Sequence, residues 1–112
     1  MDYLELPDDA TGDALRGMAQ SGDDLSKARD IEFTVVLPNR AAAQKFGDHF
    51  HQLGYAVSAQ RTRTVPELPW DVVVVKHMVP TYEGITAFEA ELETVASRLG
   101  GRSDGWGCFS EG

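Results

Sequence analysis

The stretch that decides the fold is Trp70-Asp71-Val72-Val73-Val74-Val75-Lys76-His77-Met78. Its four consecutive valines are β-branched and make both faces of the segment apolar at its centre. That pattern is typical of a strand in the middle of a sheet rather than at its edge. The same valines form the longest unbroken apolar run of the chain, which is far too short to cross a bilayer. The sequence therefore predicts a central strand.

An amphipathic helix and a short strand follow this central strand. Thr81 is a suitable N-cap, and Gly100 stands where a helix commonly ends. Between them the apolar residues recur at spacings of three and four, which indicates one buried helical face; they are Ile85, Phe88, Leu92, Val95 and Leu99. Residues Ser103 to Glu111 then predict a final strand.

The residues that precede the central strand predict a strand, a helix and a second strand. From Ile31 to Leu37 apolar and polar residues alternate, as in a strand with one buried side, and Pro38 ends it. Asn39 caps the next helix, which Gly54 closes. The apolar face of this helix recurs at spacings of three and four; it consists of Ala43, Phe46, Phe50 and Leu53. Alternation from Tyr55 through Val57 to Ala59 predicts the strand that follows.

The first thirty residues differ from the rest in charge and in pattern. They hold eight acidic and three basic side chains, with Pro7 and Gly22 as breakers. Leu15 and Met18 give a narrow apolar stripe, so we expect one short helix from about Asp13 to Gln20, capped by Thr11 or Asp13. We interpret residues 1–30 as an acidic N-terminal arm around this helix.

The order from Ile31 onward is strand, helix, strand, strand, helix, strand. This βαββαβ order predicts an α+β, ferredoxin-like sandwich: a four-stranded antiparallel sheet with two helices on one face, preceded by the short N-terminal helix. We expect a single domain in which residues 31–112 form the ferredoxin-like part, because 112 residues suit one compact unit.

Composition limits the partners of the chain. The formal net charge of −8 repels phosphate backbones and attracts basic partners, so we expect protein binding and no direct contact with nucleic acid. The N-terminus carries acidic residues where a signal peptide needs basic ones, which predicts a cytoplasmic protein without a membrane span. The lone Cys108 excludes an internal disulfide and is interpreted as a small, half-buried apolar residue.

Catalytic and cofactor-binding patterns are missing from the sequence. His49 and His51 point apart on a helix and cannot share a metal, and His77 has no evident nucleophile beside it. No glycine-rich phosphate loop or serine nucleophile elbow is present, and Arg40 alone does not make an acylphosphatase-like cradle. The valine-rich strand offers no stacking ring to RNA. We therefore predict a non-enzymatic protein that needs no cofactor and no metal.

The C-terminal segment Asp104-Gly105-Trp106-Gly107 resembles the signature of the regulator of ribonuclease activity B family. Upstream, Arg29-Asp30-Ile31-Glu32 before the first strand and the helix ending in Leu53-Gly54-Tyr55 are also similar to that family, so the resemblance covers about residues 11–111. It implies a ferredoxin-like domain that binds an RNase E-type endoribonuclease outside its catalytic centre. It also implies inhibition or redirection of RNA processing, with no chemistry of its own.

Two sets of residues are candidates for binding a ribonuclease with a basic segment. The first surrounds the signature and comprises Asp104, Trp106, Phe109 and Glu111; the second is the acidic side of the last helix, with Glu83, Glu89 and Glu93. Trp106 has two interpretations that the sequence leaves open. It is either a core residue whose indole N–H bonds a backbone carbonyl, or an exposed anchor with an acidic rim.

Two other functions fit the same pattern. An immunity protein that neutralises a toxin would keep the fold and the acidity and change the target. A small-molecule sensing module would work as a dimer through its sheet and hold the ligand at the interface. The oligomeric state does not follow from the sequence.

Overall fold

The computed structural model describes residues 9–62 and 66–108. They form three helices and four strands, in an order that confirms the predicted one. The elements are α1 (Ala10–Gln20), β1 (Arg29–Leu37), α2 (Arg40–Gln52), β2 (Ala56–Arg61), β3 (Trp70–Met78), α3 (Tyr82–Arg98) and β4 (Arg102–Cys108).

The four strands make one antiparallel sheet in the order β2-β3-β1-β4. β1 pairs with β3 over its whole length, from Arg29 opposite Met78 to Leu37 opposite Trp70. β4 pairs with the other side of β1, and β2 with the other side of β3. The predicted α+β, ferredoxin-like arrangement with an N-terminal helix is therefore confirmed, and the valine-rich strand is indeed internal.

Capping side chains fix the starts of the helices. The Asn39 side chain accepts a hydrogen bond from the Ala42 N–H at 2.8 Å, and the Thr81 hydroxyl accepts one from the Gly84 N–H at 3.0 Å. Both caps were predicted. α1 begins three residues earlier than predicted, at Ala10, because the Asp9 carboxylate accepts from the Gly12 N–H at 2.8 Å. The predicted caps, Thr11 and Asp13, lie inside the helix.

The hydrophobic core lies between the sheet and the helices. Phe33 of β1 and Phe88 of α3 meet edge to face, with ring centroids 4.8 Å apart. Phe46 and Phe50 of α2 pack against each other in a tilted arrangement, and Phe50 also meets Phe88. Leu15 of α1 and Leu25 belong to the same core. The residues before β1 therefore contribute apolar side chains to the same core as α2, α3 and the sheet.

Strand ends differ slightly from the predicted ones. β1 starts two residues earlier, at Arg29, and β2 starts at Ala56 rather than Tyr55. The part of the last strand predicted beyond Cys108 lies outside the described residues. Within the described residues, no helix is long and apolar enough to span a bilayer.

Candidate protein-binding surface

Trp106 lies on the helix-covered face of the sheet. Its direct partner across the β1–β4 ladder is the buried Phe33, and residues opposite one another in an antiparallel pair project to the same face. The indole is half-buried and packs against the edge of the core. The burial of Trp106 is thus intermediate between the two interpretations, because the residue packs against the core without being fully buried.

A chain of hydrogen bonds joins Trp106 to the two helices beside it. The indole Nε1–H donates to the Thr11 hydroxyl at 3.2 Å, and that hydroxyl donates to a Glu89 carboxylate oxygen at the longer distance of 3.4 Å. The acceptor of the indole is thus a side chain of α1, and not the backbone carbonyl that the core interpretation expected. β4, α1 and α3 meet through these three side chains.

Glu89 is a partly desolvated carboxylate. Burial raises its pKa above the ordinary glutamate range, the hydrogen bond from Thr11 opposes that rise, and the negative charge of Asp9 adds to it. No ion pair in the part of the chain that the structure describes involves Glu89. A carboxylate withdrawn from water without a cation is a favourable contact for an incoming guanidinium or ammonium group.

Two further carboxylates surround Glu89. The Tyr82 hydroxyl donates to Asp9 at 2.5 Å, which lowers the pKa of Asp9 and raises that of Tyr82. Glu93, one turn after Glu89 on α3, accepts a 2.5 Å hydrogen bond from the Ser103 N–H of β4. We call Asp9, Glu89, Glu93 and Trp106 the acidic corner.

The remaining predicted site residues do not join this corner. Glu83 is exposed, and six residues before Glu89 it is turned by roughly 120° around α3. Asp104 is exposed near Asp71 of β3, whose pKa is raised by burial and, to a smaller extent, by the Asp104 charge. Phe109 and Glu111 lie outside the described residues.

A β-bulge in β4 puts Trp106 in its position. The register of β4 against β1 shifts between Phe33 and Val35, which face Trp106 and Ser103 respectively. Gly105 lies within the bulge with φ of +100°, a conformation that favours glycine. Gly107, two residues further on, has no positive φ and has open space where a Cβ would lie.

A buried ion pair lies near the end of β4. The Arg29 guanidinium donates to Asp23 at 2.8 Å, and the two side chains are 2 % and 0 % exposed. Burial raises the pKa of the Cys108 thiol, while the nearby Arg29 partly opposes that rise. Cys108 is half-buried against the core, as the sequence indicated.

The histidines form no centre with other ligand types. His77 lies opposite Asp30 on the open face of the sheet, which is the face that the helices do not cover. Its Nδ1 is 2.9 Å from the Asp30 carboxylate, and both side chains are mostly exposed. His49 is exposed and meets the Phe50 ring edge on. Among residues 9–62 and 66–108, no cluster of histidine, cysteine and carboxylate side chains has the arrangement of a metal site.

Comparison with known families gives one match that spans most of the chain. The model of the family described as regulator of ribonuclease activity B matches residues 8–108, from the residue before the α1 cap to the end of β4. The chain belongs to the regulator of ribonuclease activity B family. The family consists of regulators and is not a catalytic one. A search of curated proteins finds no match.

Membership of the regulator of ribonuclease activity B family confirms the resemblance carried by the Asp104–Gly107 signature. Sequence reasoning missed one residue of the acidic corner, Asp9, and two residues that hydrogen-bond to the corner, Thr11 and Tyr82. Thr11 was considered only as a helix cap, and Asp9 and Tyr82 were not considered as site residues at all. Their only signal was the presence of polar groups at the start of two helices, and nothing in the sequence says that these two helix starts lie together.

Proposed function

We propose that this chain binds an RNase E-type endoribonuclease through a basic segment of that enzyme, and that binding inhibits or modulates RNA processing. Family membership supports regulation of a ribonuclease, and the net charge of −8 favours a basic partner. The proposed role needs no chemistry from the chain itself, because binding outside a catalytic centre is enough to alter access to RNA.

The observation that carries the proposal is the partial burial of the Glu89 carboxylate. This carboxylate is partly desolvated, carries a raised pKa and has no ion pair with described residues. Asp9 and Glu93 add negative charge around it. An arginine of the partner would form a charge-assisted, two-pronged hydrogen bond with Glu89, which is stronger and more specific than contact with a freely hydrated carboxylate.

Trp106 has a positioning role in this proposal. Its N–H already bonds Thr11, and the same hydroxyl bonds Glu89, so the indole helps to hold the carboxylate in place. The accessible part of the ring then offers an apolar surface beside the charge. Aromatic groups beside buried charged contacts are the composition of a binding hot spot.

The test uses the full chain and a purified RNase E-type ribonuclease. Calorimetry should show that Glu89→Gln weakens binding by about tenfold or more, because an unpaired partner charge at a desolvated contact costs at least about 2 kcal/mol. The matched control is Glu91→Gln, which removes the same charge from an exposed position of the same helix and should change the affinity by less than about twofold.

RNA cleavage in the same mixtures separates binding from regulation. We expect the wild-type chain to change the cleavage rate and the Glu89→Gln chain to need a correspondingly higher concentration. Equal affinities for the two glutamine variants would refute the acidic corner as the contact. Absence of binding by the wild-type chain would refute the RNase E-type partner altogether.

A further inference from the structure

β2 is an edge strand whose outer side is open. It lies at the end of the sheet, and five of its six residues are exposed, the half-buried Val57 being the exception. It contains no proline, and its only charged residue is Arg61 at the end. In the described residues no hydrogen bond reaches its outer backbone groups. Such an edge is ready to pair with another extended chain.

A groove runs beside this edge, between β2 and α2. It has a volume of about 350 Å³. Its floor includes Val57, Ala59 and Trp70, and its helix side includes Gly47, which has no side chain to fill it. A peptide added to β2 would place every second side chain in this groove, as in strand addition to other sheet edges.

The groove lies beside a stretch of chain that is basic in an otherwise acidic protein. The stretch 39–63 holds four of the ten basic side chains and only one of the eighteen acidic ones. Arg40 and Asp48 both line the groove, with Asp48 about two turns after Arg40 on α2, so the positive charge is at the start of that helix. Because the chain turns back at Gly54 and Gly47 faces Val57, the start of α2 and the end of β2 lie at the same end of the groove. Arg40 and Arg61 therefore mark one cationic end.

We propose that the β2 edge binds an extended acidic segment of a partner protein as a fifth strand, with a carboxylate of that segment toward Arg40 and Arg61. Backbone hydrogen bonds supply the affinity, the groove accepts small or apolar side chains, and the two arginines select for negative charge. A second copy of this chain fits less well, because it brings the same cationic end and a net charge of −8. This inference does not depend on the acidic corner or on a ribonuclease partner.

The probe is a library of random peptides, about a dozen residues long, displayed on phage and selected on the full-length chain. We expect the enriched sequences to combine alternating apolar residues with aspartate or glutamate. Amide chemical shifts of the labelled protein, titrated with one enriched synthetic peptide, should change in β2 and along α2. No enrichment, or shift changes confined to other elements, would overturn the proposal.

Variants then test the two features of the groove. Arg40→Ala and Arg61→Ala should each weaken binding of the peptide by about fivefold to tenfold, whereas the control Arg98→Ala, which removes an exposed arginine from α3, should leave it unchanged. Gly47→Leu keeps a good helix former in α2 and fills the groove, so it should abolish binding while circular dichroism shows a folded chain. Equal binding by all four variants would contradict the site.

Analytical ultracentrifugation of the chain without peptide tests whether a second copy of the chain occupies the β2 edge. We expect a monomer at the concentrations used for the titration. A dimer that Gly47→Leu dissociates would assign the edge to a second copy and overturn the proposal.

Discussion

The two edge strands of the sheet, β4 and β2, differ in how far other parts of the protein cover them. The β4 edge is interrupted by a bulge, its Ser103 N–H is bonded by Glu93, and α1 lies beside it through the contact of Thr11 with Trp106. The β2 edge is regular, and no described residue bonds its outer backbone groups. Bulges and covering elements are means by which proteins prevent unwanted pairing at an edge. Among the described residues neither protects β2, so its outer backbone groups are open to a further strand.

The two edges also differ in the sign of the charges near them. The β4 edge carries the acidic corner, and the β2 edge carries the cationic end of the groove. The two edges are held apart by the internal strands β3 and β1. Surfaces of opposite charge at opposite edges can bind different segments at the same time, and charge keeps each segment from the wrong surface. The N-terminal helix α1, which lies beside β4, contributes to this difference between the two edges.

The largest expected effect comes from breaking the buried Arg29–Asp23 ion pair near the β4 edge. Asp23→Asn removes the carboxylate charge that pairs with the buried Arg29 guanidinium. We expect the free energy of unfolding to fall by about 3–5 kcal/mol in urea denaturation followed by tryptophan fluorescence.

The control for Asp23→Asn is the exposed pair on the open face. Asp30→Asn removes the partner of His77, where both side chains are mostly exposed, and should change stability by less than about 0.5 kcal/mol. Similar losses of unfolding free energy for the two variants would mean that burial does not make the Arg29–Asp23 pair more important than an exposed pair.

A smaller effect is expected at the bulge of β4. Gly105→Ala places a Cβ on a residue with φ of +100°, so it should cost about 1–2 kcal/mol and disturb the contact of Trp106 with Thr11. Gly107→Ala, two residues away with open space and no positive φ, should cost less than about 0.5 kcal/mol. Both are measured by thermal unfolding, with near-ultraviolet circular dichroism to report on the indole. Equal losses would show that the bulge does not require glycine.

Local patterns in the sequence predicted most of the fold. The valine run marked β3, the spacing of Phe46 and Phe50 marked α2, and the caps Asn39 and Thr81 placed the starts of two helices. These features act within one turn or one strand, so they can be recognised without knowing the partners. The order of the elements then limited the topology to a ferredoxin-like one.

The site could be predicted only in part. The acidity of α3 and the tryptophan of the signature were visible in the sequence. Thr11 and Glu89, however, are 78 residues apart, and Trp106 and Thr11 are 95 apart. Contacts of that range depend on where α1 packs, and its narrow apolar stripe does not specify a position on the sheet. The openness of β2 was hidden for a similar reason, because edge and internal strands of small residues have similar patterns.

The smallest effect is a pH dependence that reports on the state of Glu89. Its pKa is raised in the folded protein, mainly by burial, so the folded state holds the proton more tightly than the unfolded state. Protonation of Glu89 therefore stabilises the folded state. This stabilisation is fully present below the pKa that Glu89 has in the unfolded chain, and it is lost as the pH rises through the pKa of the folded protein. Relative to Glu89→Gln, the wild-type chain should therefore gain stability as the pH falls from neutral through the raised pKa of Glu89. Urea midpoints of both chains between neutral and acid pH measure this difference. A constant difference would mean that Glu89 is as hydrated as the exposed carboxylates, and the acidic corner would lose the feature that distinguishes it from the rest of an acidic surface.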